Sequence, residues 1–116
     1  MSEQNRDTSI QLHVKLDEKN LPVDLKWEAS DSPIKGQKDC KAFMLSIWDT
    51  QQAQTLRIDL WTQEMKTDEM THFIFQTIAT MSDVLQRSTN NAELANDMRQ
   101  FARQFALKSG ILPPQK

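Results

Sequence analysis

Glycine is scarce in this chain of 116 residues: only Gly36 and Gly110 occur, in unrelated loops, so no glycine-rich turn is available to cradle a phosphate. Cysteine occurs once, as Cys40. That excludes an intramolecular disulfide and leaves no lipid-attachment pattern beside a signal sequence. Long apolar runs are missing too. The longest span a few residues, far short of the roughly 20 that cross a bilayer, so no membrane-embedded segment is expected. The opening Met1-Ser2-Glu3-Gln4-Asn5-Arg6-Asp7 has neither the apolar stretch nor the cleavage site of a secretory signal, which predicts a cytoplasmic protein. No block of like charge occurs: 14 Lys plus Arg against 16 Asp plus Glu leave a formal charge of −2. A nucleic-acid or anionic-membrane binder needs a concentrated basic footprint, and this sequence has none.

What is present is ordinary soluble-globule chemistry, with 38% apolar and 26% charged residues. The length suits one domain over 1–116 that buries a core without staples, ordered over about 9–111, with the first eight and last four residues loose. From Ser9 to Leu16, Ile10, Leu12, Val14 and Leu16 alternate with Gln11, His13 and Lys15, the period of a half-buried strand. After the polar stretch Asp17 to Pro22, Val23, Leu25, Trp27 and Ala29 alternate with Asp24, Lys26 and Glu28, which completes a hairpin. Ser30 to Asp39 reads as an exposed loop around Pro33 and Gly36. Cys40 to Asp49 is apolar on both sides. A helix competes there, but the compact run bounded by a Pro/Gly loop and a polar turn favours a buried strand. Leu56, Ile58 and Leu60 then alternate with Arg57, Asp59 and Trp61 as the fourth strand.

The period changes to that of a helix from Met70 through Phe73, Ile74, Ile78, Met81, Val84 and Leu85, with Thr67 expected as N-cap. Thr89-Asn90-Asn91 supplies a loop and a cap for a second helix carrying Leu94, Ala95, Met98, Phe101, Ala102 and Phe105 on one face. Gly110 and Pro113-Pro114 end it. The expected fold is α+β: a four-stranded antiparallel sheet of two hairpins, followed by two helices packed on one face. The expected core is Ile10, Leu12, Val14, Leu25, Trp27, Leu45, Ile47, Ile58, Leu60, Phe73, Ile78, Met81, Met98, Phe101 and Phe105.

No catalytic set emerges. Glu69-x-x-His72 has the spacing of half a di-iron site, but a second such pair and two more glutamates would be needed, and the other histidine, His13, lies on a strand. Both read as solvated, and no metal or cofactor is expected. Cys40 lacks any signature of a nucleophile, and Ser46 lacks the glycine-flanked elbow of a hydrolase serine. Arg99 and Arg103, with Arg87 and Lys108 nearby, read as a solvated helix face. The more informative feature is the second apolar face of the third strand. Met44 and Trp48 emerge there, and Trp61 points the same way. Such clusters mark association sites, unless the 30–39 loop or the N-terminal arm folds over them. The candidate interface is Met44, Trp48 and Trp61, rimmed by Arg57 and Asp59, with His13 on the same outward face. A homodimer is its simplest use.

Two stretches, Lys41-Ala42-Phe43-Met44-Leu45-Ser46-Ile47-Trp48-Asp49 and Thr55-Leu56-Arg57-Ile58-Asp59-Leu60-Trp61-Thr62, resemble the gliding motility protein GldC family. Met65, Asp68-Glu69-Met70, Phe73, Gln76-Thr77 and Met81-Ser82-Asp83 are similar as well, as are Leu16-Asp17-Glu18-x-Asn20-x-Pro22 and Trp27. The resemblance runs from about Ile10 to the end of the second helix and is weaker over Pro33 to Lys41 and Ser88 to Asn96. It implies a small cytoplasmic accessory protein of bacterial gliding, acting through protein partners from the gliding machinery, with no assigned catalysis or cofactor and no catalytic residue to carry over. The alternative is a small-molecule-binding or enzymatic α+β domain with a cavity between sheet and helices.

Overall fold

The computed structural model describes residues 4–113. Five strands and two helices follow in order: β1 Ile10–Leu16, β2 Pro22–Ala29, β3 Lys38–Cys40, β4 Ala42–Asp49, β5 Gln54–Trp61, α1 Thr67–Thr89 and α2 Ala92–Ser109. The class is α+β. The chain divides into two compact units, Met1–Met65 with every strand and Lys66–Lys116 with both helices. Of the termini expected to be loose, 1–3 and 114–116 lie outside the described residues. Arg6 is tied to Asp31 by an ion pair of 2.8 Å, and the Ser9 amide donates to Ser30 Oγ at 2.9 Å.

The strands do not form one four-stranded sheet. They form two antiparallel sheets, β1-β2-β3 and β4-β5. The stretch expected as a single strand from Cys40 to Asp49 is divided at Lys41. The reason is a change of hydrogen-bonding partner: β3 pairs with β2, whereas the Lys41 carbonyl accepts the Thr62 amide at 2.9 Å, just past the end of β5. A backbone group that serves one neighbour is unavailable to the other. Thr62 is buried, and its hydroxyl also donates to Lys41 O at 3.4 Å.

In the three-stranded sheet the period-two pattern holds. Leu12 faces Trp27, Val14 faces Leu25, and Cys40 stands across Leu25 on β3. Leu25, 1% exposed, is the centre of this unit. Lys38 lies over the Trp27 ring at 4.4 Å from its centroid, a cation–π contact that covers the indole. The other face carries alternating charge: Lys15 opposite Asp24, His13 opposite Lys26, and Lys26 bonded to Asp39. The β1–β2 connection is an Asx turn, in which the Asp17 carboxylate accepts the amides of Lys19 at 2.8 Å and Leu21 at 3.0 Å while Asn20 adopts φ 63°.

The helical unit is a two-helix hairpin joined at Asn90 and Asn91. Asn90 takes the left-handed conformation at φ 59° and closes α1, and the Asn91 side chain accepts the Leu94 amide at 3.0 Å to open α2. The start of α1 falls one residue earlier than expected. Lys66, not Thr67, is the N-cap, and because a lysine side chain cannot accept, the Glu69 carboxylate serves the cap by taking the Lys66 amide at 3.0 Å. The helices meet through small residues: Ala95, Ala102 and Ala106 of α2 and Ser82 of α1 are buried. Small side chains let backbones approach closely, so the large apolar residues expected as core flank the seam instead. Met81 and Phe101 are among those left exposed. Arg99, expected to be solvated, ties the pair together by donating to Gln86 Oε1 at 2.6 Å and Asp83 Oδ1 at 3.1 Å.

Candidate interaction site

The β4–β5 hairpin is built from two strands of alternating pattern closed by a tight turn. At the turn the Asp49 carboxylate accepts the Gln52 amide at 2.8 Å, and Ala53 adopts φ 51°, unusual for a residue with a Cβ. Its register sets both faces. On one, Phe43 stands opposite Leu60, Leu45 opposite Ile58, and Ile47 opposite Leu56, six apolar side chains in three cross-strand pairs. Ile47, Leu56 and Ile58 of this set are exposed, Ile58 by 52%. Sequence periodicity assigns Ile47 and Ile58 to the core; it reports a shared face, not what covers that face.

The other face carries Ala42, Met44, Ser46 and Trp48 against Trp61, Asp59, Arg57 and Thr55. Five of the six candidate interface residues therefore share one face. They do not form one cluster. Trp61 stands opposite Ala42 and Trp48 opposite Thr55, six residues along the ladder, so the tryptophans are about 20 Å apart within the hairpin. Trp48 is 66% and Trp61 57% exposed. Between them Arg57 Nη2 lies 3.4 Å from Asp59 Oδ1 and 4.0 Å from Met44 Sδ, a charged centre set between two apolar ends. His13 is in the other sheet, where its Nε2 meets Glu28 Oε2 at 3.1 Å.

The remaining sequence candidates are separate. Burial pushes the Cys40 thiol pKa up, and the nearby carboxylates of Asp39 and Asp24 add to it, so the thiol is held protonated and poorly nucleophilic. The Lys26 ammonium is raised by its hydrogen bond to Asp39. Glu69 and His72 border an open depression with Thr67, Ser109 and Ile111, and the His72 ring stands edge-on to Phe75 at 6.3 Å. Among the described residues no group of three or more His, Cys, Asp or Glu is placed to hold a metal, and no helix is long and apolar enough to cross a membrane.

A family model described as gliding motility-associated protein GldC-like matches residues 22–111, from the start of β2 to just past the end of α2. No curated protein and no solved structure matches the chain.

Proposed function

The chain belongs to the gliding motility-associated GldC-like family, and from that premise we propose that it is a cytoplasmic accessory protein of bacterial gliding, acting through protein contacts and not by catalysis. The family match carries this reading. The exposed face of the β4–β5 hairpin supports its mode of action, because tryptophan, methionine and arginine are the residue types enriched where proteins meet. Trp48 and Trp61 are the anchors, and Arg57 and Asp59 are the polar groups that orient a partner.

Deleting the gene should abolish or reduce spreading on a surface and leave growth in liquid unchanged. Complementation with the wild-type gene should restore spreading, and complementation with the Trp48→Ser, Trp61→Ser variant, accumulated to the same level, should not. A deletion strain that spreads like its parent overturns the motility role. Full rescue by the double variant overturns the assignment of the face.

A further inference from the structure

We infer that β5 is an intersubunit strand: it pairs antiparallel with β5 of a second copy of this chain, about a dyad at Ile58. The first ground is the edge itself. The β4–β5 sheet has only two strands among the described residues, so the second edge of β5 carries no strand ladder, with Leu21 and Pro22 bordering its Asp59–Trp61 end. Natural edge strands are protected by proline, charged side chains, bulges, brevity or a covering loop; Gln54–Trp61 has no proline, lysine or bulge, and its two charges, Arg57 and Asp59, are of opposite sign and can pair across the edge.

The second ground is that, among the registers that pair the middle of β5, the hydrogen-bond pattern and the charges select one. Bonded and non-bonded pairs alternate along an antiparallel ladder. Lys41 and Thr62 are a bonded pair, so Leu60, Ile58 and Leu56 spend their backbone groups on β4, and Thr55, Arg57, Asp59 and Trp61 direct theirs to the open edge. A bonded pair across a new edge must join two outward-directed residues. With the dyad at Arg57 that residue would face its own copy, and with the dyad at Asp59 two carboxylates would meet. Like charges directly opposite are destabilising. With the dyad at Ile58, each Arg57 faces the Asp59 of the second copy, twice over, and Leu56 faces Leu60. The hydrophobic face of three pairs continues across the junction into a four-stranded sheet.

The same register reunites the separated tryptophans. Trp61 of one subunit falls opposite Thr55 of the other, which already stands beside Trp48, so the two indoles lie two strand spacings apart, about 10 Å, across the junction. We rest this on the same hairpin as the motility role, but purified protein tests it, so either reading can fail alone.

Light scattering of the purified chain at micromolar concentration should give twice its 13.5 kDa mass. In a Cys40→Ser background, Ile58→Cys should oxidise readily to a covalent dimer, because residues at a non-bonded dyad stand about 4.5 Å apart between Cα atoms, within disulfide reach. Leu56→Cys should not, whereas Leu56→Cys with Leu60→Cys should. Arg57→Asp or Asp59→Arg alone should weaken association by about tenfold or more, and the two together should restore it, which separates a lost contact from a lost fold. A monomeric wild type overturns the inference, whether its tryptophans are open to acrylamide (a different partner) or shielded (a face covered within the chain). So does a dimer that cross-links no faster through position 58 than through 56, or a double charge swap no tighter than the single reversals.

Discussion

Truncating Leu25 to alanine tests where the strand unit keeps its core. Leu25 and Ile10 lie on the same face of the β1–β2 pair, and periodicity treats them alike, yet Leu25 is 1% and Ile10 76% exposed. Leucine-to-alanine changes in a closed core cost about 2–5 kcal/mol, the larger values belonging to cavities that cannot collapse. Leu25 faces Val14, itself exposed, and half-buried Cys40, so its surroundings can move inward. The cost should therefore fall at about 2–3 kcal/mol, and the urea midpoint should drop by about 1–2 M. Ile10→Ala, with little surface to lose, should cost about 0.5 kcal/mol or less. The assay can be confined to this unit, because Trp27, Trp48 and Trp61 all lie in Met1–Met65: tryptophan emission follows the strands, and the 222 nm ellipticity reports chiefly the helices. Equal costs for the two variants would refute the reasoning, because burial in the three-stranded sheet would then not be concentrated at Leu25.

Ala53→Gly should stabilise the protein by up to about 1 kcal/mol in the same urea titration, because glycine adopts φ 51° without the Cβ clash that alanine bears; a loss of stability would mean the turn conformation is wrong. Cys40 should react with iodoacetamide more slowly in the folded protein than in urea at any pH near 8, because a raised thiol pKa lowers the thiolate fraction, and equal rates would contradict its burial. The sign for stability follows. A thiol whose pKa is raised on folding favours the folded state while protonated, so its contribution is present below the ordinary thiol range and fades as pH rises through the folded value.

Much of the fold is legible in particular residues. The alternation of Ile10, Leu12, Val14 and Leu16 and the three-four spacing from Met70 to Leu85 name the element types correctly, and the Thr89-Asn90-Asn91 stretch and Gly110 mark the bounds of α2. Lys41 carries no mark of the break it makes, because nothing in the residue says that its carbonyl will be taken by Thr62. Thr67 looked the better cap, yet Glu69 caps from within the helix and leaves Lys66 at the boundary. Ala95 and Ala102 stand on the expected apolar face of the second helix but outside the expected core, and with Ala106 they are the buried seam. The candidate site divides in the same way. That Met44, Trp48, Arg57, Asp59 and Trp61 share a face was readable from parity alone, whereas the distance between the tryptophans depends on register, and His13 went to a different sheet.

The sequence by itself determined the class of fold and the kind of most of its elements, and its resemblance pointed to the family that the family model matches. Class and element type follow from local rules: side chains alternate every second residue in a strand and return every 3.6 in a helix, whatever the rest of the chain does. Tertiary structure alone decided that the strands part into three and two, that Leu25 and three alanines hold the buried apolar positions, and that one hairpin is left with an apolar face, a face of tryptophans around a charged centre and, among the described residues, no third strand. Pairing and burial are settled between residues far apart in the chain, where one backbone group can satisfy only the neighbour that reaches it.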